Sequence, residues 1–174
     1  QALFALTARK GSKQYFSSND LVRNFLADLE RRYSEPDAVS GVTSGYFKLD
    51  QMTTGFQPSD LIILAARPSM GKTAFALNMC MRAAIQQNVP VAIYSLEMSK
   101  EQLIMRMLSV FAKVELSKLR RGNLDDDDWR NVHYAVEELS RAPIFIDDTP
   151  AISTLELRAR TRRLKAQHGI GLVM

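Results

Sequence analysis

Apolar residues recur along this chain with two different rhythms. Early on they are spaced for a helix: Leu21, Phe25 and Leu29 stand at i, i+4 and i+8 within residues 17–33, and Ser17 and Asp20 have capping-box spacing at its start. From Leu61 the rhythm changes to short continuous apolar runs separated by longer amphipathic stretches. The predicted order begins with a strand at residues 61–66, a helix at 73–87, a strand at 91–95 and a helix at 99–112. It continues with a helix at 125–139, a strand at 144–146, a helix at 153–167 and a last apolar run at 170–174. Such alternation predicts an α/β domain, a mostly parallel sheet with flanking helices.

The stripe at residues 17–33 lies outside that alternation and admits two readings. An amphipathic helix can pack on its own domain. It can equally dock on a neighbouring subunit, because residues 37–45 are turn-rich and, with Pro36 and Gly41, form a tether able to carry it away from its own core. Residues 11–14 form a polar break further upstream.

Composition narrows the class. With 174 residues and 46% hydrophobic content, one good core and an appendage are expected, but not two full domains. The apolar runs stop far short of the roughly 20 residues that cross a bilayer, and no signal peptide precedes them, so no membrane partner is expected. One cysteine, Cys80, and two histidines far apart in sequence, His133 and His168, exclude a disulfide framework and argue against zinc, which fits a reducing cytoplasm. The formal net charge of +4 suits a nucleic-acid partner without identifying one.

Candidate chemistry concentrates where the first apolar run ends. Ala66-Arg67-Pro68-Ser69-Met70-Gly71-Lys72-Thr73 has the strand, loop and helix context of a phosphate-binding loop, with Ala66 where the GxxxxGK[ST] pattern has its first glycine. A helix N-terminus aims free backbone N–H groups and the positive end of its dipole at an anion. In such a loop Gly71 lets the backbone come close, Lys72 reaches the β- and γ-phosphates, and the Thr73 hydroxyl binds the bridging magnesium ion.

Glu97 follows the next strand, at the carboxyl edge where open α/β sheets form their ligand crevice. It could orient and deprotonate a water attacking a γ-phosphate, or simply be a first-turn glutamate favoured by a helix dipole; position alone leaves both open. Asp147 and Asp148 end another apolar strand and imitate a magnesium-binding aspartate of Walker B type. The Thr149-Pro150 that follows favours a turn, and the run at 170–174 offers a better Walker B strand. The acidic run Asp125, Asp126, Asp127 and Asp128 is explained by a helix N-terminus without any ion. The basic clusters around Lys118, Arg120 and Arg121, and around Arg158, Arg160, Arg162, Arg163 and Lys165, read as solvated helix faces rather than phosphate contacts. Met79, Met81, Met105 and Met107 read as adaptable core filler.

Four blocks together carry a family resemblance. The run from Gly55-Phe56-Gln57-Pro58-Ser59-Asp60 through Gly71-Lys72-Thr73, Ser95-Leu96-Glu97-Met98-Ser99, Arg121-Gly122-Asn123-Leu124 with its acids, and Ile146-Asp147-Asp148-Thr149-Pro150 resemble the DnaB family of bacterial replicative DNA helicases. The resemblance extends over residues 16–174, and the family tolerates alanine at the Ala66 position. It implies a RecA-like P-loop ATPase domain working as a ring-shaped homo-hexamer. Such a ring uses ATP and Mg2+ to move 5′ to 3′ on single-stranded DNA and to unwind the duplex at the replication fork, in the cytoplasm, with primase and a helicase loader as partners.

Residue by residue, the resemblance implies nucleotide contacts at Ser69, Met70, Gly71, Lys72, Thr73 and Ala74, magnesium binding at Thr73, and catalytic roles for Lys72 and for Glu97 as general base. Residues 1–16 correspond to the end of the N-terminal region, 17–45 to a linker helix and tether, and 46–174 to the N-terminal part of the ATPase domain. In the family the linker helix packs on an adjacent subunit, which assigns docking to Leu21, Phe25 and Leu29. The Walker B aspartate, DNA-contacting loops and arginine finger are expected beyond Met174. A piece of this extent should hydrolyse ATP poorly alone; as alternatives it would serve only for nucleotide capture and subunit docking, or belong to a recombination-type RecA-like ATPase.

Overall fold

The computed structural model describes residues 17–34 and 39–174. The polar break at 11–14 and the start of the tether, residues 36–38, lie outside the described residues. The chain divides into two compact units, the second being Val39–Met174.

In the first unit, helix α1 runs Ser18–Ser34. The Ser17 hydroxyl accepts the Asp20 amide at 3.2 Å, so the cap read from the sequence forms at its serine end. Leu21, Phe25 and Leu29 are each half or more exposed, at 53%, 63% and 50%, and Val22 and Leu26 extend the stripe.

The second unit is built on a three-stranded parallel sheet of β1 (Val91–Tyr94), β2 (Ile144–Asp147) and β3 (Leu172–Val173), in the order β2-β1-β3. Val91 faces Ile144 on one side and Leu172 on the other, and Tyr94 is level with Asp147. A strand paired on both edges and covered on both faces needs apolar residues throughout. Val91, Ala92 and Ile93 are accordingly almost wholly buried.

The helices are α2 (Phe47–Thr53), α3 (Lys72–Gln87), α4 (Lys100–Ala112), α5 (Leu116–Arg121), α6 (Asp126–Arg141) and α7 (Thr154–His168). The main core joins Leu77, Cys80, Met81 and Ala83 of α3 to Leu103 and Met107 of α4 and to Val91 and Ile93 of β1. Met81 and Met107 are therefore core residues, as the sequence suggested, and burial pushes the Cys80 thiol up to about 12, where it is an inert apolar group. A smaller cluster of Ala112, Val114, Val132 and Ala135 ties α4 to α6. No helix among the described residues is long and apolar enough to cross a membrane.

The caps follow the sequence closely. Ser99 caps α4, and reciprocal capping boxes start α6 (Asp125 with Asp128) and α7 (Ser153 with Glu156). The acids before Trp129 thus satisfy helix amides, and Asp128 also pairs with Lys118 of α5 at 2.6 Å.

Residues 61–66 differ from expectation: they form no strand. Leu61 and Ile63 are 86% and 79% exposed, and among the described residues no backbone group of this run enters a hydrogen bond. The physical reason is pairing. β1 has a neighbour on each edge, and the backbone of this run, among the described residues, bonds to the open outer edge of neither β2 nor β3, so it lacks the ladder that makes an apolar run a strand. The sequence also left α2 and α5 unassigned, since seven and six residues are too few to establish a period. α2 is anchored by the buried Asp50, whose carboxylate accepts the Thr43 hydroxyl at 2.5 Å and the Ser44 amide at 2.7 Å.

Candidate nucleotide-binding site

The chain enters α3 through a tight turn. The Met70 amide reaches the Arg67 carbonyl at 3.3 Å, and Ser69 (φ 65) and Gly71 (φ 83) both adopt left-handed backbone. Gly71 is the N-cap of α3, and Lys72 is its first residue. The first amide of this turn to find a carbonyl is that of Phe75, bonded to Gly71 at 2.9 Å. The N–H groups of Lys72, Thr73 and Ala74 have no such partner among the described residues, as at any helix start. Free donors, the helix dipole and the Lys72 ammonium coincide at one exposed place, a ready anion site.

This loop forms one wall of a cleft of about 630 Å3. Residues 66–74 line it from one side, and Glu97, Met98 and Arg106 from the other. Glu97 lies in the connection between β1 and α4, at the carboxyl end of the central strand, and is the sole carboxylate among the lining residues. Ser69, Met70, Gly71, Lys72, Thr73, Ala74 and Glu97 are thus brought together as the sequence suggested, even though residues 61–66 stand outside the sheet.

Arg106 was not foreseen. It projects from α4, and its Nε is buried without a hydrogen-bond partner among the described residues. A guanidinium with an unsatisfied buried donor beside a phosphate-type loop fits a site awaiting an anion. Its signal in the sequence was a cation next to Met107 and three residues after Leu103, both of them buried on the inner face of the helix.

Asp147 and Asp148 are absent from the cleft lining. Asp147 accepts the Thr149 amide at 3.0 Å and hydroxyl at 2.6 Å, the turn favoured by Thr149-Pro150, and binds Arg160 at 2.7 Å. The Thr149 hydroxyl first, and then the Arg160 guanidinium, hold the Asp147 carboxyl down at about 2. Arg160 is therefore engaged within the fold and is not a free basic residue on a solvated face.

Residues 41–174 match the family described as DnaB-like helicase C terminal domain. The chain belongs to this family. Its DnaB-type relatives include "Replicative DNA helicase DnaC" of Bacillus subtilis (strain 168), 41% identical over 174 residues, covering 100% of this chain and 38% of the relative. "Replicative DNA helicase DnaB" of Geobacillus stearothermophilus is 42% identical, covering 99% of the chain and 38% of the relative. The chain thus spans under two-fifths of the length of these relatives. Among solved structures, a DnaB-like replicative helicase studied with primase superposes with TM-score 0.79 at 30% identity, over 99% of this chain and 41% of that one. A solved ATPase domain reaches TM-score 0.85, also at 30% identity, over 92% of this chain and 57% of that one. The DnaB-type ATPase fold, α/β with a parallel sheet and flanking helices, is thereby shown.

Proposed function

We propose that this DnaB-family chain supplies the nucleotide site of an ATP-driven replicative DNA helicase. The observation that carries this is the convergence of the α3 N-terminus, Lys72, Arg106 and Glu97 on a single cleft. The amides of Lys72, Thr73 and Ala74 would hold a polyphosphate by its oxygens, with Ser69, Met70 and Gly71 shaping the loop around them. Lys72 and Arg106 would stabilise the charge that develops as the terminal phosphoryl group is transferred. The Thr73 hydroxyl is the side chain fitted to magnesium, which when bound neutralises the β- and γ-phosphate oxygens. Glu97, across the cleft, would orient a water and take its proton.

The whole protein would turn this hydrolysis into 5′ to 3′ movement on single-stranded DNA as a homo-hexamer in the cytoplasm, working at replication forks with primase and a loader. For the hexamer, the exposed stripe of Leu21, Phe25 and Leu29 would dock on a neighbouring copy. The acceptor on that copy would be the groove whose apolar part is formed by Ile104, Met105, Leu108, Leu119, Ile144 and Ile146, with Lys100 and Glu101 also lining it. With Glu97 the sole acid lining the cleft, the chain by itself should bind nucleotide better than it hydrolyses it.

Lys72→Ala tests the site. Nucleotide at ~100 times its dissociation constant stabilises a binding-competent fold by about 2.7 kcal/mol. Thermal unfolding with and without magnesium nucleotide should show that shift in the wild type and much less in the variant. An equal shift in both would remove Lys72 from the site.

A further inference from the structure

Glu97 is carried on a connection that is pinned at both ends, and both pins come from the end of β2. At the near end the Ser95 amide donates to the Asp147 carbonyl at 2.9 Å. At the far end the Lys100 amide donates to Asp148 Oδ2 at 3.0 Å, and the Lys100 ammonium lies 3.4 Å from Asp148 Oδ1. Between the pins the Ser95 hydroxyl closes the loop around Leu96 and Glu97, accepting the Met98 amide at 3.1 Å and donating to the Met98 carbonyl at 2.7 Å. The Asp147 carboxylate touches none of this. It is held by Thr149 and by Arg160 of α7, so the segment that grips the loop is itself fixed to a helix.

From this we infer that Asp148 is a positioning residue for Glu97: by holding the Lys100 N–H from 48 residues away, it fixes where the Glu97 carboxylate stands in the cleft. Asp148 is not among the residues lining the cleft, so it acts only through the loop. The inference rests on the assignment of Glu97 as the base. Because an error of ~1 Å in the placement of a reacting group costs ~10²-fold, slackening this loop should reach turnover while leaving phosphate binding, which belongs to the opposite wall, in place.

Two different ways of removing the bond test it in the full-length protein. Asp148→Ala deletes the acceptor. Lys100→Pro deletes the donor at the first position of α4, where proline is tolerated and the preceding Ser99 is already extended at φ -70, ψ 157. Each should lower kcat by ~10-fold to ~100-fold, with nucleotide affinity within a few-fold of wild type. Asp148→Asn keeps an acceptor oxygen and Lys100→Ala keeps the amide, so both should retain most of the activity. In a Glu97→Gln background, Asp148→Ala should cost almost nothing further, the non-additivity expected of residues acting in series. If Asp148→Ala and Lys100→Pro turn over normally, or if the loss is as large with Glu97→Gln as without it, the positioning role is wrong. If Glu97→Gln alone turns over normally, the base assignment has failed and the inference falls with it.

Discussion

Gly71→Ala isolates the contribution of backbone shape in the loop. Gly71 sits at φ 83, ψ 17, and a Cβ built on it meets nothing within 4 Å, so the substitution introduces no clash and its cost is conformational. Holding an L-residue in left-handed backbone costs roughly 1–2 kcal/mol. At ~1.4 kcal/mol per factor of ten, that equals about 5-fold to 25-fold in an equilibrium constant. Where the cost appears depends on how firmly the free loop is held. Residues 66–72 are exposed, and among the described residues only the Met70 and Phe75 amides brace the turn, so the alanine loop can relax when empty and must be forced back to bind. The melting temperature without nucleotide should therefore change little, while the dissociation constant measured by calorimetry rises by about 5-fold to 25-fold. Gly122→Ala is the control. It carries the same backbone penalty at φ 68, again with nothing within 4 Å, but lies away from the cleft, so it should lower the melting temperature and leave nucleotide affinity alone. Unchanged affinity in Gly71→Ala, or equal weakening in both variants, would refute the claim that this loop must hold its left-handed shape to bind.

Two other perturbations probe different parts of the account. Changing Phe25 and Leu29 together to Asp should dissociate the full-length ring in sedimentation while the ATPase unit melts near its wild-type temperature, since burying such side chains is worth roughly 1.5–3 kcal/mol each. A fall of many degrees in the melting temperature of a monomer would place the stripe in its own core instead. The Asp147 carboxyl, held down by the Thr149 hydroxyl and then by Arg160, predicts a pH dependence of stability. A carboxyl held at about 2 when folded contributes stability above its usual value of 3.8, and that contribution is lost as pH falls from about 4 toward 2. Urea unfolding should therefore show wild type more stable than Asp147→Asn at pH 6, with the gap narrowing below about pH 4; a gap independent of pH would exclude the charge as its source.

Elements that announce themselves locally were legible in the sequence. Ser99, Asp125 and Ser153 start helices because their side chains satisfy amides only three residues away, and Asp147 turns the chain through its own neighbour Thr149. Features that depend on distant partners were not. The run at 61–66 has the composition of a buried strand, but composition cannot say whether its backbone pairs with a sheet edge. Arg106 joins the cleft because α4 crosses near the start of α3, and Asp148 reaches Lys100 across 48 residues; neither pairing leaves a trace in local spacing.

In the proposed mechanism one cleft separates binding from chemistry, with the loop at Lys72 holding the nucleotide and Glu97 taking the proton of the attacking water. Glu97→Gln in the full-length protein, assayed for nucleotide affinity and steady-state hydrolysis together, tests it most directly. Affinity should stay within a few-fold of wild type while turnover falls by ~10² or more, the scale of a positioned general base. Parallel loss of affinity and turnover would make Glu97 structural, and retained turnover would contradict the account.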